Sequence, residues 1–145
     1  MSDKLSRTAS LTLLTQLPEP SQNDDGNALD HLIKSHRMDL EPWGLLQHKD
    51  SYSVILVKFN FPDFKFGSKA GRSAYYYQSI AKSILKTSQW KDKHTISFDS
   101  ESSMFCFVSH DWESIVGFLK LLDDTFSIKT ELVNYTGLDR SDSYE

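Results

Sequence analysis

The sequence predicts an α+β domain in which helices pack on one face of a mainly antiparallel sheet, and three observations carry that expectation. Tyr52 to Phe61 is a near-continuous apolar run rich in β-branched and aromatic residues, which suits a strand buried on both faces. Tyr77 to Leu85 and Trp112 to Leu122 place apolar residues at spacings of three and four, the pattern of helices that bury one face. Between them, Ile96 to Val108 reads as strand, acidic turn and strand, a hairpin. A length of 145 residues fits one domain with one core.

Taken in order, residues 1–28 read as a polar N-terminal arm or linker. Pro18 to Asn27 is crowded with turn formers and has nothing to pack, while Leu11 to Leu17 is broken by Thr and Gln. A domain over 29–138 follows, then a polar tail over 139–145. Leu29, Leu32 and Ile33 recur at helical spacing, with Asn27 placed to cap a short helix. The Tyr52 strand ends at Pro62, and Phe64 to Gly71 forms a loop with two glycines. Ser73 caps a helix running to about Ser88 that buries Tyr77, Ile80, Ala81, Ile84 and Leu85 and turns Gln78, Ser79, Lys82, Ser83 and Lys86 outward. Beyond the hairpin, Asp111 caps a helix with Glu113 in its first turn, where the helix dipole favours negative charge. Trp112, Ile115, Val116, Leu119 and Leu122 mark its buried stripe. Ser127 to Tyr135 alternates as a last strand.

Charge and composition narrow the function. Sixteen basic residues against twenty acidic give a net charge of -4, with no excess of Lys and Arg to neutralise phosphates, so nucleic acid is not expected as a direct ligand. No stretch has the ~18 apolar residues of a membrane span or the h-region of a signal peptide, and the expectation is a cytoplasmic protein. Cys106, the one cysteine, has no internal disulfide partner and sits in an apolar strand where desolvation opposes the thiolate. No two of the five histidines have the i, i+4 spacing of a helical metal site, and His31 and His36 are five apart. Asp24-Asp25-Gly26-Asn27 lacks the alternating ligands of a calcium loop, Gly67 and Gly71 do not frame a phosphate loop, and no Gly-x-Ser-x-Gly elbow exists. The expectation is therefore a non-enzyme without catalytic residues, metal or cofactor.

Two features remain. Asp99 and Glu101 stand two apart in the hairpin turn, where carboxylates either decorate the turn or do acid, base or cation-binding work. Tyr75, Tyr76 and Tyr77 are consecutive on a helix and cannot all face the core at 100° per residue, so with Tyr77 inward Tyr75 or Tyr76 is at least partly exposed.

The block from Tyr77-Gln78-Ser79-Ile80-Ala81-Lys82-Ser83-Ile84-Leu85 through Ile96 to Ser109, Asp111 and Leu119 resembles the immunity protein 51 family of bacterial polymorphic-toxin systems. The resemblance rests on a helix, an Asp-x-Glu turn, a Met-Phe strand and a second helix. Phe98, Asp99, Glu101, Met104, Phe105 and Ser109 carry it, with the Ser51-Tyr52-Ser53-Val54 strand upstream. It covers roughly residues 50 to 125. It implies a small protein that binds a cognate toxin domain, a basic one such as a nuclease, and blocks it by recognition alone. The candidate contacts are Tyr75, Tyr76, Asp99, Glu101, Asp123 and Asp124. Two other classes stand beside it: a small metal-dependent enzyme using Asp99, Glu101 and a histidine, and an adaptor subunit docking a partner through Leu11 to Leu17.

Overall fold

A computed structural model describes residues 4–21, 28–56, 74–90, 96–101 and 104–126, with the side chains of 74–76 outside that description. Asn27, Val57 to Phe61, the Phe64 to Gly71 loop, Ser73 and the expected strand Ser127 to Tyr135 lie outside the described residues.

Alternation along three strands builds the floor of the core. Strands β1 (Trp43–Gln47), β2 (Tyr52–Leu56), β3 (Ser97–Phe98) and β4 (Phe105–Ser109) form an antiparallel sheet in the order β1-β2-β4-β3. Leu56 lies between Trp43 and Phe105, Val54 between Leu45 and Phe107, and Phe98 pairs with Phe107. Side chains alternate across a strand, so these residues share one face. All but the half-buried Phe98 are buried.

Helices α3 (Ala74–Lys86) and α4 (Trp112–Phe126) cover that face. Aromatic rings join the layers: Phe118 of α4 meets Phe107 edge-on at 5.1 Å, and Phe126 lies 6.0 Å from Trp43 and 5.6 Å from Tyr77. Such contacts each add about 0.5–1.5 kcal/mol to the area they bury. The expected cap is present, with Ser114 N–H donating to Asp111 Oδ2 at 3.0 Å. On α3 the predicted stripe is buried, Leu85 only partly. Ser79 and Ser83, expected to face outward, are buried as well. Their small side chains widen the stripe that a hydrophobic pattern alone defines.

The largest departure from the sequence reading is at the N-terminus. Within the expected arm, Arg7–Gln16 is a helix, α1, capped by Ser6 Oγ, which accepts from Ala9 N–H. It packs on α4 with Leu11 and Leu14 in the core. Arg7 approaches Asp123 and the Leu17 carbonyl accepts from Trp112 Nε1, so α1 runs antiparallel to α4. The chain beyond it stays tied to the sheet: Tyr52 donates its hydroxyl to Glu19 Oε2 at 2.6 Å, and Gln47 Nε2 donates to the Ser21 carbonyl.

Helix α2 (Ala28–Ser35) begins with Leu29 N–H donating to Gln47 Oε1. It ends in crossed bonds from Met38 N–H to Ile33 O and from Arg37 N–H to Lys34 O, with Arg37 left-handed at φ 54°. That is the reverse turn that satisfies the last helical carbonyls. Residues 38–50 carry no element in the sequence reading, yet they supply the edge strand β1. A cis Glu41-Pro42 bond precedes it.

Candidate functional site

The hairpin holds Asp99 and Glu101 by backbone bonds. Asp99 N–H donates to Cys106 O at 3.0 Å, and Glu101 and Met104 exchange bonds at 2.8 and 3.1 Å. Ser100 adds a side-chain tie, its Oγ accepting from Cys106 N–H at 3.0 Å. The register pairs Ser97 with Val108 and Phe98 with Phe107, so Asp99 and Glu101 fall on the face of Ser97, opposite the helices. Both are exposed, and among the described residues neither carboxylate has a hydrogen bond or ion pair. Cys106 shares their face: burial pushes its thiol up from the ordinary range, and the Asp99 and Glu101 carboxylates push the same way.

The other candidates divide. Asp123 is 2% exposed, because its carboxylate turns inward: Oδ1 accepts from Trp43 Nε1 at 2.9 Å and stands 2.8 Å from Arg7 Nε. It is no surface contact, and the expectation that it faces a partner is corrected. Asp124 is exposed and pairs with Lys120 at 2.8 Å, one helical turn back. The side chains of Tyr75 and Tyr76 lie outside the described ones. Asp99 and Glu101 thus form one site, and Asp124 belongs to another.

That second site is a groove of about 620 Å³ along the outer stripe of α4. Glu113, Gly117, Lys120, Leu121 and Asp124 recur along this stripe, with Val116 beside it. Thr15 of α1 forms one wall, and Ser88, Gln89 and Trp90 after α3 form the other. A Cβ built on Gly117 would stand 2.1 Å from the Trp90 ring, so the indole lies directly on the helix backbone. Mid-helix glycine costs about 0.5–1 kcal/mol against alanine, and here it admits Trp90. Sequence reading missed this groove. Its signal was a glycine inside an otherwise strong helical pattern, which points to close packing.

Comparison of the chain with family models, curated proteins and solved structures returns no match. The chemistry is therefore argued from the side chains. Among the described residues no three His, Cys, Asp or Glu side chains gather as metal ligands, and no helix is long and apolar enough to cross a membrane. His36 Nδ1 and His110 Nδ1 meet the backbone carbonyls of Leu32 and Asp50. His48 Nε2 lies 2.7 Å from Ser53 Oγ, which satisfies a buried hydroxyl on the face away from the helices. What the two sites offer is shape and charge: two exposed carboxylates on a backbone-tied turn of the sheet, and a groove along α4 lined by Glu113, Lys120 and Asp124.

Proposed function

We propose that this chain is an immunity protein, a cytoplasmic, non-catalytic inhibitor that binds and blocks a basic toxin domain of a bacterial polymorphic-toxin system. The observation that carries the reading is the hairpin turn. Two exposed carboxylates, Asp99 and Glu101, stand on a turn whose backbone is tied across both strands, and they have no described partner of their own. Because the backbone beneath them is already ordered, a cationic surface that docks there need order only the side chains, and the charges steer its approach. The same residues belong to the pattern that resembles the immunity protein 51 family. A nuclease fits the partner, because a phosphodiester-binding surface is basic. The adaptor alternative loses its docking segment, since Leu11 and Leu14 are used inside this chain's own core.

The test is co-expression with the toxin domain encoded beside this chain's gene. Wild type restores growth and copurifies with the toxin, and Asp99→Lys with Glu101→Lys abolishes both while the circular dichroism spectrum is unchanged. A wild-type chain that neither protects nor forms a complex would sink the proposal.

A further inference from the structure

We infer that the open edge of β1 pairs with β1 of a second copy of this chain, antiparallel and about a two-fold axis at Leu46. β1 is an edge strand, and the bonding along it fixes which of its groups face outward. His48 N–H donates to Ser51 O at 2.8 Å, so in the register of β1 with β2 the residues bonded to β2 are His48, Leu46 and Gly44. The far side of the sheet is in the same phase: Asp99 N–H donates to Cys106 O and Glu101 exchanges bonds with Met104, as alternation through β2 and β4 requires. Leu45 and Gln47 therefore turn their backbone N–H and C=O groups away from the sheet, and among the described residues those groups have no partner. Nothing guards this edge. From Trp43 to Gln47 it carries no charge and no proline, and Leu46 is the one large hydrophobic residue exposed among the described residues, 44% accessible on the face away from the helices.

The shape of the edge selects its occupant. Trp43 N–H is already donated to Leu40 O and Pro42 has no N–H, so β1 offers donors at Leu45 and Gln47 alone. So few bonds would not offset the ordering of a flexible peptide, whereas a second β1 arrives already ordered. A two-fold axis at Leu46 matches Leu45 of each copy with Gln47 of the other, and each such pair exchanges both of its bonds, so every outward group is used. Leu46 then faces its own counterpart in the closer, non-hydrogen-bonded position, with Cα atoms about 4.5 Å apart, and the two exposed side chains cover each other. The same register carries Lys49 towards Glu41 of the other copy and sets no like charges opposite each other. The acidic hairpin stands at the opposite edge of the sheet, so the pairing leaves Asp99 and Glu101 open and does not depend on the immunity reading.

Sedimentation velocity of the full chain over a concentration series tests the pairing, and cysteine cross-linking tests its register. Wild type should show a reversible monomer–dimer equilibrium. Leu46→Lys should weaken it at least about tenfold with an unchanged circular dichroism spectrum, since both copies lose a covered leucine and two ammonium groups meet on the axis. In a Cys106→Ala background, Leu46→Cys should oxidise to a covalent dimer, because residues on the axis fall within the roughly 4.4–6.8 Å between Cα atoms that a disulfide spans. Lys49→Cys, exposed and three residues off the axis, should stay unlinked, its counterpart lying about 20 Å away. A wild-type chain that stays monomeric up to about 1 mM, a dimer as tight in Leu46→Lys as in wild type, or cross-linking of Lys49→Cys as readily as Leu46→Cys each overturns the inference.

Discussion

Asp123 and Asp124 are identical letters side by side, and the helix sends them to opposite fates. Asp123 continues the stripe of Val116 and Leu119 at spacings of three and four, which was legible in the sequence but overridden by its charge. Its Oδ1 serves the Trp43 indole and the Arg7 guanidinium together, joining β1, α1 and α4. Asp123→Ala is expected to lower unfolding free energy by about 2–3 kcal/mol, somewhat under the usual loss for a broken buried pair because Arg7 is partly exposed. Asp124→Ala, at an exposed i, i+4 pair, is expected to cost under about 0.5 kcal/mol. Urea denaturation of both reads the contrast, and equal effects would mean that Asp123 is not buried. Cys106 gives a pH dependence of definite sign. Its folded pKa is raised, so its contribution is intact below the ordinary thiol value of about 8.5. Above that pH the unfolded chain releases the proton first, and stability falls until the folded thiol also titrates. Wild type should therefore lose stability more steeply than Cys106→Ala as pH rises above about 8.5. Parallel slopes in denaturation midpoint would refute the thiol's role.

The elements divide by how much of their stability is local. Helix α4 was legible because its apolar stripe, its Asp111 cap and its length agree. The hairpin was legible because Phe98, Phe105 and Phe107 alternate around a polar turn. Helix α1 was not, since Thr8, Ser10, Thr12 and Thr15 are weak helix formers and, of its apolar residues, Leu11 and Leu14 alone are fully buried. Its helicity comes from packing on α4, which local pattern does not record. Strand β1 hid for a related reason: Pro42 and Gly44 punctuate it like a loop, and its pairing with β2 spans the turn at 48–51. Gly44 is nonetheless fitted to the sheet, where a Cβ would stand 2.8 Å from Ile55 Cγ1. If α1 belongs to the core, Leu14→Ala costs about 3 kcal/mol, as for a fully buried leucine. It should also open the Leu17 to Ser21 segment to protease. An effect below about 0.5 kcal/mol, the range of surface substitutions, would return these residues to the arm the sequence suggested.

At the scale of the molecule, the sheet separates the two candidate sites. The helices cover one face and carry the groove on α4's outer side; Asp99 and Glu101 lie on the other face, at the end of the β3–β4 hairpin. The sequence showed the acidic turn because turn chemistry is local. It did not show the groove, because Thr15, Trp90 and Gly117 meet only through the tertiary fold. On the proposed immunity reading, the carboxylate pair on an acidic chain of net charge -4 acts on a basic partner at a distance during approach, whereas packing contacts act only after docking. The Debye length shrinks from about 10 Å at 0.1 M salt to about 3 Å at 1 M, so the first effect is screened and the second largely survives. If the chain is the proposed immunity protein, its association rate with the toxin domain should fall about tenfold or more across that range, with little change in dissociation. Asp99→Asn with Glu101→Gln should flatten the salt dependence. Stopped-flow association at several salt concentrations decides it: an association rate indifferent to salt would show that the acidic corner does not guide the encounter, whatever holds the complex together afterwards.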